Sequence, residues 1–270
     1  MIGMVTGAAG VIYVSTPVLF GSDPEKVVDP VVRGTINTLK AAARAGVQRY
    51  VLSSSSKAVE GTVYDRPHTI TVDTFNHDDV RNAREGAAGE SLGRLWGVYS
   101  ASRAAAELAF WAWVKENKPP FVANCVVLDG NFGRVLDVEN INTGLGSSTG
   151  MLKNALAGNW DGVFPYLAYF VDVQDSARLL VAATTLSTIA NERIFGHYGH
   201  ATWNDLRQIV QDMFPDRPEI VTGGDLDVVG RDQSNADELI QRAEELLKEV
   251  GRPGFVSVED MLRDFVDSFY

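Results

Sequence analysis

Three short stretches carry residue types that can do chemistry together. The serine run 53–56 follows the apolar RYVL. Tyr99 stands four residues before Arg103 in YSASR. LDGNFG, residues 128–133, follows the apolar FVANCVV. A hydroxyl at a strand end can hold a carbonyl oxygen. A tyrosine one helical turn from a fixed cation has its phenolate stabilised, because opposite charge lowers its pKa from the ordinary ~10. Such a tyrosine can pass a proton to a carbonyl oxygen while hydride arrives on the carbon.

The elements that must position these residues alternate in the first half of the chain. Strands are expected over 11–14, 49–53 and 121–128, each a continuous apolar or β-branched run. A helix is expected over 23–45, with Pro24 near its start and Gly46 past its end. A second, rich in Ala, Leu and Trp, is expected over 100–115, so that Tyr99 opens it. Two-sided apolar strands alternating with helices mean a parallel sheet covered by helices. Later segments read as helices over 144–157, 176–186, 203–214, 236–250 and 258–269, with strands over 169–173 and 193–198. They are expected to pack as a smaller, mostly helical lobe. Ligands in open α/β sheets bind at the carboxyl ends of the strands. That puts weight on residues 15–17, 53–56 and 128–133.

Composition narrows the function classes. The chain has 270 residues, 45% hydrophobic and 22% charged, which suits a soluble globular protein with a real core. A formal net charge of -11 argues against a nucleic-acid partner. The longest apolar stretch, 11–20, is broken by Ser15, Thr16 and Pro17 and is too short to span a membrane. No basic segment precedes it, so it makes a poor signal peptide. The one cysteine, Cys125, favours a reducing compartment. A soluble cytoplasmic protein, monomer or homodimer, is expected. No Cys/His/Asp cluster has metal-ligand spacing, so no metal is expected.

The order and spacing of several stretches resemble the extended short-chain dehydrogenase/reductases. Within that superfamily the chain is most similar to the branch of dihydroflavonol reductases, cinnamoyl-CoA reductases and fungal aldehyde or ketone reductases. The stretches are GVIYVSTPVLFGSDPEKVVDPVVRGTINTLKAAARAGVQRYVLSSSS, ITVDTFN, VYSASRAAAE, FVDVQDSARL and NERIFG. The resemblance implies a Rossmann-like parallel sheet. It implies a partial dinucleotide-binding core over 1–135 and about 168–190, and a substrate lobe over 136–167 and 191–270. It implies NADP, with NAD as the alternative, and a small-molecule carbonyl substrate. The family's tyrosine falls on Tyr99, its lysine position on Arg103 and its serine on Ser55, with Ser56 one residue away. Cofactor contacts are implied for Ser15, Thr16, Pro17, Ser53, Tyr99, Arg103, Asp129 and Asn131.

Departures from the family pattern set further expectations. Arginine keeps the charge of lysine but is longer and planar, so catalysis is expected to be weakened. VTGAAGVIY, residues 5–13, imitates the phosphate-binding glycine fingerprint, but Tyr13 stands where its third glycine belongs and Pro17 where its helix should run. Only 49 residues separate Thr6 from Ser55, whereas four crossover units need on the order of 100. Residues 11–14 are therefore expected to be the family's fourth strand, in a sheet truncated at its N-terminal side. The alternative is a non-catalytic or cofactor-independent relative. Asp129-Gly130 replaces the family's proline and asparagine and reads as a turn or a modified nicotinamide edge. Asp172 and Asp175 read as a cap and lobe contacts, Trp96 as core or pocket wall with lining of a substrate cavity as the alternative, and Lys57 with Glu60 as a solvated pair.

Overall fold

In the computed structural model, residues 5–14, 19–86, 89–141, 147–161, 163–227 and 230–270 are described. The chain divides into two compact units. The first comprises 1–61, 70–128 and 179–195; the second comprises 62–69, 129–178 and 196–270.

The first unit is built on a four-stranded sheet. Its strands are β1 (Gly10–Tyr13), β2 (Arg49–Ser55), β4 (Val122–Leu128) and β7 (Arg193–Gly196), adjacent in that order. β1 and β2 run parallel with Gly10 opposite Arg49, and β2 and β4 run parallel with Ser55 opposite Leu128. This is the α/β parallel sheet the sequence predicts. β1 ends the described sheet, and its Ile12 is 38% exposed. Gly7-Ala8-Ala9-Gly10 leads into β1, with Ala9 O accepting from Gln48 N and Gly10 already paired. A phosphate loop would instead leave a strand and open a helix. Tyr13 packs toward the first helix, where a Cβ on Gly34 would come within 2.9 Å of its hydroxyl. The expected contacts at Ser15, Thr16 and Pro17 lie outside the described residues.

Helix α1 (Pro24–Ala45) starts at Asp23, whose side chain accepts from Glu25 N, and stops at Gly46 in the left-handed conformation. Its Val27 and Val28 join Ala83, Val98 and Ala101 in one buried cluster. Ala83 belongs to α2 (His77–Glu85), a short polar helix that sequence periodicity does not reveal. Val98 and Ala101 belong to α3 (Leu92–Asn117). That helix begins eight residues earlier than expected, at a Ser91 cap, so Tyr99 lies inside it rather than opening it. Gly93 and Gly97 weaken local helix propensity, but burial of Trp96 and Val98 outweighs them.

The second unit holds two small sheets. β5 (Gly130–Phe132), β6 (Tyr169–Asp172) and β8 (Gly199–His200) form one; β3 (His68–Thr69) and β9 (Ser234–Asn235) form the other. The turn expected at Asp129-Gly130 is corrected: Gly130 enters β5, which runs parallel to β6 with Gly130 opposite Phe170. Tertiary pairing overrides the local turn preference of Asp-Gly. β8 requires glycine at 199, since a Cβ there would overlap the Phe170 ring at 2.0 Å. Four helices, α4 (Ser148–Leu156), α6 (Trp203–Met213), α7 (Asp237–Glu249) and α8 (Val258–Val266), belong wholly to this unit. α4 and α8 pack on β5, and α6 packs on α4 and α8. The remaining helix, α5, spans Val173–Thr185. No helix among the described residues is long and apolar enough to cross a membrane.

Candidate active site

The chemistry expected of the first unit gathers at the carboxyl end of β2 and on α3. Ser55 ends β2 in extended conformation, and its Oγ accepts from Lys57 N at 3.2 Å, capping a 3-10 turn over Ser56–Ala58. Ser55 is half-buried, whereas Ser53, Ser54 and Ser56 are buried. Alternation along the strand sends Ser54 to α3, where its Oγ donates to Glu107 Oε2 at 2.5 Å. The adjoining Ser55 belongs to the other strand face.

Tyr99, Arg103 and Glu107 recur every four residues, so they share one face of α3. The Tyr99 ring is stacked on Phe20, centroids 4.7 Å apart and planes 14° apart, and lies 5.4 Å from Trp96. Its backbone carbonyl accepts from Ser102 Oγ at 2.6 Å. Trp96 is buried and packs against both Phe20 and Tyr99. Arg103 is buried and donates from Nη2 to Ser53 O at 3.2 Å. Its Nε is buried with no hydrogen-bond acceptor among the described residues. One guanidinium edge is therefore committed to β2 and another is an orphaned donor.

The serine turn is fastened from a second side. Asn76 caps α2 by accepting from Asp79 N, and its Nδ2 donates to Lys57 O at 3.1 Å. Lys57 is buried at 8% exposure, which corrects the expectation of a solvated side chain: the turn folds it inward beside Asp79. Burial raises the Asp79 carboxyl above its ordinary pKa, with Asn76 and Lys57 opposing that rise. Glu107 and Arg193 escaped sequence reading. The signal was present in Glu107, an acid within the apolar run AAAELAF.

Asp129 and Asn131 lie in the second unit. The Asn131 amide donates to Asp129 O at 2.8 Å and accepts from Ser176 Oγ at 2.5 Å. Asp172 accepts from Gln174 N at 2.8 Å at the start of α5, and Asp175 accepts from Val256 N at 2.7 Å, so both serve as a cap and a lobe contact. Burial raises the Asp172 carboxyl, whose Oδ2 has no hydrogen-bond donor among the described residues. Elsewhere in this unit Asp232 accepts from His200, Ser234 and Tyr166. Burial opposes its charge, but these bonds outweigh burial and hold its carboxyl well below the usual range. No group of three His, Cys, Asp or Glu among the described residues could hold a metal ion.

No family model matches the chain. Aldehyde reductase 2 of Sporidiobolus salmonicolor is 32% identical over 278 residues, covering 98% of this chain and 76% of the relative. A ketoreductase of Penicillium rubens is 28% identical, covering 94% of this chain and 73% of the relative. The chain thus spans about three quarters of these relatives. Among solved structures, Gre2 from Candida albicans in complex with NADPH superposes with a TM-score of 0.78 at 23% identity, covering 100% of this chain and 80% of that one. Vestitone reductase from alfalfa gives a TM-score of 0.68 at 19% identity, covering 99% of this chain. These two likenesses carry the Rossmann-like fold, and the sequence relatives carry the lineage. The chain belongs to the extended short-chain dehydrogenase/reductases, in the branch of the fungal aldehyde and ketone reductases.

Proposed function

We propose that the chain is a carbonyl reductase, using NADPH in preference to NADH to interconvert an aldehyde or ketone and its alcohol. The observation that carries this reading is the placement of Tyr99 and Arg103 on one face of α3, with Arg103 bonded to the same strand end that carries Ser55, in a chain of reductase lineage. The bound dinucleotide would supply the hydride. Tyr99 Oη passes its proton to the carbonyl oxygen. Ser55 Oγ holds that oxygen by a hydrogen bond. Arg103 keeps a permanent positive charge one turn along the helix. Its orphaned Nε fits a site that meets hydroxyl-bearing ligand, since a buried donor left unpaired is costly. The aromatic wall of Phe20 and Trp96 suits an apolar carbonyl substrate. The lone cysteine, buried in the first unit, accords with a reducing compartment such as the cytoplasm.

The test is spectrophotometric. Purified chain is mixed with NADPH or NADH and a panel of aliphatic and aromatic aldehydes and ketones, and loss of reduced cofactor is followed. Turnover is expected, with NADPH favoured, and Tyr99→Phe should cut kcat by about 10²-fold or more. Absence of thermal stabilisation by either dinucleotide at saturation overturns the reading.

A further inference from the structure

Glu107 is fully buried, yet the chemistry above does not use it. Its Oε2 accepts from Ser54 Oγ at 2.5 Å, and its Oε1 accepts from Arg193 Nε at 2.6 Å and Trp111 Nε1 at 3.3 Å. Arg193 Nη1 in turn donates to Thr74 O at 2.6 Å, and its guanidinium lies 4.0 Å over the Phe75 ring. The next residue, Asn76, donates to Lys57 O, and Lys57 N donates to Ser55 Oγ. These contacts form a ring that leaves the strand end at Ser54 and returns to it at Ser55.

The geometry points to Glu107 as a positioning residue for the reaction: it fixes the strand end that carries Ser55 against the helix that carries Tyr99 and Arg103. This inference rests on the carbonyl-reductase reading. Ser54 adjoins Ser55 in sequence, and Glu107 stands one turn past Arg103 and two past Tyr99 on the same helix face. The short Ser54–Glu107 hydrogen bond, together with that of Arg103 to Ser53 O, ties the two pieces to each other. A carboxylate acceptor in a buried setting makes the bond from Ser54 strong and directional, and the 2.6 Å ion pair with Arg193 holds the carboxylate in place. Relative displacement of about 1 Å at a reacting pair can cost on the order of 10²-fold in rate.

The test removes the bond without unpairing the buried charges. Ser54→Ala deletes the hydroxyl and Ser54→Thr restores it. With NADPH and the best carbonyl substrate, Ser54→Ala should lower kcat about tenfold while KM and NADPH affinity stay within about twofold. Ser54→Thr should recover most of the loss. A kcat unchanged in Ser54→Ala overturns the inference. So does a loss of rate that merely follows the folded fraction, measured by circular dichroism. A wild-type chain that turns over no carbonyl refutes the reductase reading instead. In that event the ring is judged from the ¹⁹F resonance of 3-fluorotyrosine placed at position 99 in wild-type and Ser54→Ala chains. A resonance that shifts or splits in Ser54→Ala and returns in Ser54→Thr supports the positioning role, and an unmoved resonance overturns it.

Discussion

Each unit buries an arginine, and the two are satisfied differently. Arg193 in the first unit faces Glu107, whose side chain is 0% exposed, and also takes the carbonyls of Val72 and Thr74. Arg207 in the second unit gathers the carbonyls of Ala155, Leu156, Thr222 and Gly223, and its carboxylate partner Asp225 is 67% exposed. The first arrangement couples two charges that both lose water, so each depends on the other. The second couples one charge to backbone dipoles and leaves its counter-charge in solvent. The first unit thereby gains a rigid joint beneath the strand end with Ser55; the second gains a staple between 155–156 and 222–223.

Breaking the first joint should have the largest effect. Arg193→Leu leaves Glu107 buried and unpaired, and is expected to cost about 3–5 kcal/mol in denaturant unfolding. Replacing both partners together, Arg193→Met with Glu107→Leu, should recover much of that stability but not the rate, which separates charge burial from positioning. Arg207→Leu follows, at about 3 kcal/mol, because four carbonyls lose their donor. In contrast, Asp225→Ala should cost under about 1 kcal/mol, since that partner is solvated. Equal losses at Asp225 and Glu107 would erase the distinction.

Arg103 is a third case, half committed. Its Nη2 bonds Ser53 O while its Nε has no acceptor. Arg103→Lys should raise kcat several-fold with little change in thermal midpoint. Unchanged turnover would show that arginine does not limit the reaction. A smaller effect is expected at Asp172, whose pKa burial raises. The raised folded pKa means this carboxyl supports the fold fully below its unfolded pKa, and that support is lost as pH rises through the folded value. Asp172→Asn keeps an acceptor for Gln174 N and should gain stability at pH 7 but not at pH 3, read from denaturation midpoints at the two values.

The caps and apolar runs made much of the first unit legible. Asp23, Pro24 and Gly46 bracket α1 as expected, and the run before Leu128 is a buried strand. The α3 start was hidden because Gly93 and Gly97 mask a helix that packing completes. α2 was hidden because a mostly exposed nine-residue helix has little apolar pattern to show. β5 was hidden because a strand of three residues is defined by its neighbour β6 rather than by its own propensity. The spacing of Tyr99 and Arg103 was visible, as was the serine run. The ion pair of Glu107 with Arg193 spans 86 residues, beyond any local pattern.

By itself, then, the sequence determined the alternation of strand and helix, the lineage, and the candidate tyrosine, arginine and serine, because period, capping and residue type are local properties. Only the tertiary structure decided which serine turns toward α3, where Lys57 goes, and that Glu107 and Arg193 meet. Those outcomes depend on which distant groups are desolvated together, and a buried charge is tolerated only where the fold brings its partner.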